Sequence, residues 1–117
     1  MTKLSLKKTW EETLRMWKWI DEQIAVNPEL IVTRLKYEWL TKEGYKKRVM
    51  NGCFLCEYAS NHMEFCELMC KNCPATLVEE TFYCNNSAYN WANQPRQFYK
   101  KLVELNELRL SKKGKKK

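Results

Sequence analysis

The chain is short of residues that break or loosen a backbone: three glycines and three prolines among 117 residues. That scarcity argues against a loop-dominated or unfolded chain. The three glycines stand apart, so no glycine-rich loop exists to cradle a phosphate. There is one histidine, His62, and spacing therefore offers no Ser-His-Asp or Cys-His arrangement for nucleophilic catalysis. No apolar run approaches the roughly 20 residues of a membrane span. Lys3, Lys7 and Lys8 lead into an amphipathic stretch rather than an apolar one, so no signal peptide is expected. The expected compartment is then a reducing one, where thiols bind metal or stay reduced more often than they pair.

What is present suffices for a core, since 44% of residues are hydrophobic and 13% aromatic. The length suits one domain. Residues 9–26 read as an amphipathic helix, with Thr9 and Glu12 in capping-box spacing. Trp10, Leu14, Trp17, Ile20 and Ile24 form its apolar face, and Trp19 is expected to point away from them toward a partner. Asn27-Pro28 ends this helix and opens the next, expected over 28–43, with Ile31, Val32, Leu35 and Trp39 on one face and Gly44 as its stop. Two such helices with a short joint are expected to pack as a hairpin. A short helix is expected within 58–69, a strand within 76–83 and a turn at Asn85-Asn86-Ser87. Pro95 opens a third helix with Phe98, Leu102 and Leu105 on its apolar face, and from Ser111 the chain is low-complexity and lysine-rich.

All six cysteines lie between residues 53 and 84: Cys53, Cys56, Cys66, Cys70, Cys73 and Cys84. Two spacings are Cys-x-x-Cys, and two such turns can aim four thiolates at one point. Cys53, Cys56, Cys70 and Cys73 are the expected ligands of a structural zinc, with Cys84 able to replace Cys70 and Cys66 as the spare. Soft sulfur donors favour Zn²⁺ over Mg²⁺ or Ca²⁺; disulfides, unligated thiols or an iron–sulfur cluster are the competing readings. No βαβ pattern surrounds either pair, which sets aside a thioredoxin-like redox motif. His62, six residues after Cys56, would supply a nitrogen ligand only if a cysteine dropped out, and a half-exposed loop position is expected for it. A catalytic zinc keeps an open position, whereas an all-sulfur shell is structural. The adjacent Glu79 and Glu80 would face opposite sides of a strand, so no acid–base pair is read and no enzymatic activity is expected.

The formal charge of +7 is unevenly spread. Residues 1–50 carry +4, residues 51–90 carry −4, and residues 91–117 carry +7, six of whose basic groups fall in 109–117. A nucleic-acid site is therefore one candidate, through the connector Tyr45, Lys46, Lys47 and Arg48 and through Arg109, Lys112 and Lys113, by salt-dependent contacts to phosphates. Tyr89, Trp91, Phe98 and Tyr99 offer aromatic surface, although such residues beside a zinc knuckle usually cap its small core. The expected fold class is mainly α, as one domain over 1–110. It comprises an N-terminal helical hairpin (9–43), a four-cysteine zinc-knuckle module with little regular structure (53–91) and a C-terminal helix (95–110). A disordered lysine-rich tail follows over 111–117.

Three segments together resemble small cysteine-rich zinc-binding proteins of tailed bacteriophages. They are Trp17-Lys18-Trp19-Ile20 followed by Asn27-Pro28; Asn51-Gly52-Cys53-Phe54-Leu55-Cys56-Glu57-Tyr58-Ala59; and Cys70-Lys71-Asn72-Cys73-Pro74 followed by Ser87-Ala88-Tyr89-Asn90-Trp91. Ala88 stands where the pattern has proline, and Cys66 is additional. The resemblance spans about residues 14–91 and implies zinc and a viral setting, in the cytoplasm of an infected bacterium. It further implies an interaction protein that binds and inhibits or modulates a host or defence-system protein, with or without bound nucleic acid.

Overall fold

The computed structural model describes residues 5–45, 53–62, 73–84 and 86–115. Every regular element among them is a helix: α1 (Leu6–Val26), α2 (Val32–Lys42), α3 (Phe54–His62), α4 (Pro74–Val78) and α5 (Pro95–Lys115). The chain is mainly α. α1 is the central element, packing against α5, α3 and α2, while α4 bridges α3 and α5.

α1 starts earlier than its sequence pattern suggests. The Ser5 hydroxyl accepts the Lys8 amide at 3.0 Å and thereby caps the helix. Thr9 and Glu12 are thus inside the helix and buried, not a capping box at its start. The buried stripe of Trp10, Thr13, Trp17, Ile20 and Ile24 recurs at three- and four-residue steps. The helix ends at Asn27, whose φ of −141° and ψ of 94° reflect the bias of a residue before proline away from helical geometry. The Asn27 side chain accepts the Glu29 amide at 3.1 Å, so Pro28 lies in a turn and α2 begins only at Val32. Ile31, expected on the apolar face, precedes that helix and is 65% exposed.

α2 closes with a Schellman arrangement. The Tyr45 amide donates to the Leu40 carbonyl at 2.8 Å and the Gly44 amide to the Thr41 carbonyl at 3.1 Å. Gly44 holds φ at +88°, in the left-handed region that an L side chain resists. This reversal turns Tyr45 inward. Its ring stacks on Trp39 at 6.2 Å and meets Phe54 edge-on at 4.9 Å. Its hydroxyl donates to buried Glu12 at 2.6 Å. Arg15 donates to the same carboxylate at 2.6 Å and to Glu43 at 2.9 Å. One carboxylate in α1 therefore anchors the end of α2 and the entry to α3.

The segment expected as a strand is not one. Pro74 sets up the first turn of α4, with Cys73 at the N-cap, and the chain then turns at residues 80–81. A turn does form at Asn86, whose side chain accepts the Ala88 amide at 2.8 Å; Asn85 lies outside the described residues. α5 opens where the Gln94 carbonyl accepts the Phe98 amide at 2.9 Å. It buries Phe98, Leu102 and Leu105 as expected. It also runs past Leu110 to Lys115, into the segment expected to be a disordered tail. Lysine has a high helix propensity and a packed helix propagates readily into such residues.

Tyr45→Phe should lower unfolding free energy by about 1.5–3 kcal/mol, the worth of a hydrogen bond to a charged group, and Gly44→Ala by about 1–2 kcal/mol for the left-handed backbone, both read by urea titration. Burial raises the Glu12 pKa, but the bonds from Tyr45 and Arg15 outweigh it and hold the group below its ordinary 4.5. The unfolded chain thus takes up this proton first, so the Glu12 contribution is complete above about pH 4.5 and fades as pH falls through the lower folded value. Glu12→Gln should remove that part of the acid sensitivity, at the expense of lower stability at pH 7.

Candidate metal centre

Three separate stretches carry the cysteines, and each is pinned to the core by an apolar neighbour. The Cys53 carbonyl accepts the Glu57 amide at 3.0 Å, which starts α3, and Phe54, Leu55 and Ala59 of that helix are buried. Phe54 meets the Trp39 ring edge-on at 5.9 Å. Cys73 precedes buried Pro74 and Ala75. Cys84 follows Phe82, which stacks on Tyr89 at 5.6 Å and lies 6.1 Å from the Phe98 ring. The Trp91 amide donates to the Cys84 carbonyl at 3.1 Å and fixes its loop.

These anchors bring Cys53, Cys56, Cys73 and Cys84 to the wall of one small cavity of about 50 Å³, completed mainly by apolar side chains including Leu55, Phe82 and Phe98. All four are half-buried and none is in a disulfide. A second cavity of about 390 Å³ shares Cys53, Cys56 and Cys84 and adds Trp17, Lys36, Tyr37 and Trp91. Among the described residues, no group of three or more His, Cys, Asp or Glu side chains is already arranged as a metal site. The donor set is nevertheless chemically apt: four sulfurs in apolar surroundings suit a soft, tetrahedral ion such as zinc.

The thiols differ in acidity. A hydrogen bond from Cys56 brings Cys53 down to about 6, burial opposing and the Lys36 ammonium assisting. Burial pushes Cys73 up to about 11, and the nearby charge of Cys53 adds to the rise. Two neighbouring thiols held this far apart accept one negative charge between them more easily than two, which is the state a cation would relieve.

The remaining sequence candidates fare unevenly. Cys66, Cys70, Lys46, Lys47 and Arg48 lie outside the described residues. His62 is the last residue of α3 rather than a loop residue. Lys112 and Lys113 fall on the α5 helix, their side chains outside the described set. Arg109 is not a free tail cation: it is half-buried, donates to Asn106 at 2.8 Å and places its guanidinium 5.4 Å above the Trp10 ring. Tyr45 is likewise committed to the interior through Glu12 and Trp39. Trp19 does not point outward. It packs half-buried against the core with the Lys42 ammonium 4.9 Å above its ring.

Sequence reasoning overlooked Lys36. It stands four residues after Val32 and three before Trp39, both buried, and is itself only 6% exposed. A lysine at that spacing on an apolar face was the available signal. No protein-family model, no curated protein and no solved structure matches the chain.

At pH 7.5 in metal-free protein, iodoacetamide should alkylate Cys53 well before Cys73, because only the former is largely thiolate. Peptide mapping after a short pulse reads the order, and preferential labelling of Cys73 would contradict the assigned environments.

Proposed function

We propose that the chain is a non-enzymatic, zinc-stabilised interaction protein of the bacteriophage type. In this reading it acts in the cytoplasm of an infected bacterium, where it binds and inhibits or modulates a host or defence-system protein. The observation that carries it is the convergence of four cysteines from three stretches on one apolar cavity. Cys53, Cys56, Cys73 and Cys84 would hold the ion, with Cys84 in the place first assigned to Cys70. α1 and α2 would form the helical hairpin, and residues 53–91 the zinc-knuckle module. Bound zinc would supply folding free energy by linking the three stretches, and an all-sulfur shell leaves it no open position for catalysis.

The partner surface is sought on the module rather than at Trp19. Leu77 of α4 is 63% exposed and Tyr83, beside Cys84, is 53% exposed. Large apolar groups at that exposure, set in the acidic middle of the chain, are what a docking protein offers. A second reading, nucleic-acid binding, draws on the extension of α5 into its lysine-rich end. Binding of DNA or RNA that disappears on removing residues 109–117, and weakens steeply with salt, would reduce it to non-specific phosphate contact.

Native mass spectrometry should find one zinc per chain. Cys53→Ser or Cys73→Ser should unfold the module, Cys84→Ser should lose the ion, and Cys66→Ser should keep it; a fully folded metal-free protein refutes the zinc assignment. Affinity purification from phage-infected cells should recover a stoichiometric partner that is lost with Leu77→Glu and Tyr83→Glu. Recovery of no stoichiometric partner sinks the interaction reading.

A further inference from the structure

Lys36 gains a role if the zinc reading above holds, and its assignment rests on that reading. Four thiolates around one Zn²⁺ carry a net charge of −2, and a doubly charged cluster among apolar groups is costly without a counter-charge. The walls of the two cysteine-lined cavities contain one cation among the described residues, Lys36. It is buried to 6% exposure. Its ammonium lies 4.3 Å above the Trp91 ring. Trp91 in turn is tied to the cluster, because its amide donates to the Cys84 carbonyl. The same cavity wall holds Cys53, Cys56 and Cys84. The ammonium therefore lies over an indole face in the cavity whose wall carries those three cysteines.

We infer that Lys36 is the built-in counter-ion of the thiolate cluster, a positioning residue that holds its net charge near −1 and retards loss of the metal. It does not ligate, since a protonated amine has no lone pair to give. The Trp91 face keeps the long side chain from turning to solvent by a cation–π contact.

The test compares the native full chain with Lys36→Met, Lys36→Gln and Lys36→Arg. Zinc affinity is measured by competition with a chromophoric chelator and zinc release by its rate under excess chelator. Circular dichroism at saturating zinc identifies the folded variants, and the polar but neutral glutamine stands in if the methionine variant does not fold. The neutral variants should bind zinc at least about 10-fold more weakly, in line with other groups that support ligands without touching the metal. Lys36→Arg, which keeps the charge, should remain much closer to the native protein. A folded neutral variant that holds zinc as tightly as the native chain overturns the inference, as does an arginine variant that loosens it equally. A native chain that takes up no zinc at all overturns the zinc reading itself and the Lys36 assignment with it, so the two failures are told apart by the unsubstituted protein.

Discussion

The edge-on contact of Trp17 with Phe98, at 4.7 Å, is the joint on which the rest depends. It locks α1 to α5, the two longest helices, and both rings line the large cavity that three cysteines share. Phe98 also meets Phe82, so the same pair fixes the loop that carries Cys84. A flexible sulfur-bearing segment gains a defined position only when its apolar neighbours have somewhere rigid to pack. The salt link from Arg96 to Asp21 at 2.8 Å spans the same two helices but is half-exposed, and it adds little beside the ring contact.

At the other end of α1 a different device operates. Glu12 is a buried carboxylate that accepts from Arg15 and Tyr45, and it ties α1 to the residue that follows α2. The frame is therefore organised twice over: by a polar bridge near the start of α1, and by aromatic packing under the cysteines further along it. Removing one partner of the polar bridge leaves a buried group unsatisfied, and that asymmetry is what makes such a bridge specific.

Much of the frame was legible in the sequence because helical periodicity reports burial directly. Trp10, Trp17, Ile20, Leu35, Trp39, Phe98, Leu102 and Leu105 were all on expected apolar faces and all are buried. What failed was local chemistry that depends on tertiary partners. Thr9 and Glu12 match a capping box in spacing, but Ser5 caps the helix and frees Glu12 for Tyr45. Thr76–Tyr83 has strand-like residues, yet Pro74 and the packing of Ala75 favour a short helix. Trp19 looked outward by rotation around α1, but α2 covers that side with Lys42. Among the cysteines, spacing favoured the Cys70–Cys73 pair, of which Cys70 lies outside the described residues; the gathering of Cys84 with Cys53, Cys56 and Cys73 depends on Phe82, Tyr89 and Trp91, which no spacing rule contains.

Four of the five tryptophans lie under a cation: Trp10 under Arg109, Trp19 under Lys42, Trp39 under Arg15 and Trp91 under Lys36. Each contact is worth about 0.5–1 kcal/mol where exposed and about 2 kcal/mol or more where desolvated. A polyanion that recruited these groups would first have to strip them from their indoles. The chain thus has four of its 21 basic groups already engaged by an indole. Its ionic-strength response should be set by the cations that aromatic rings do not hold.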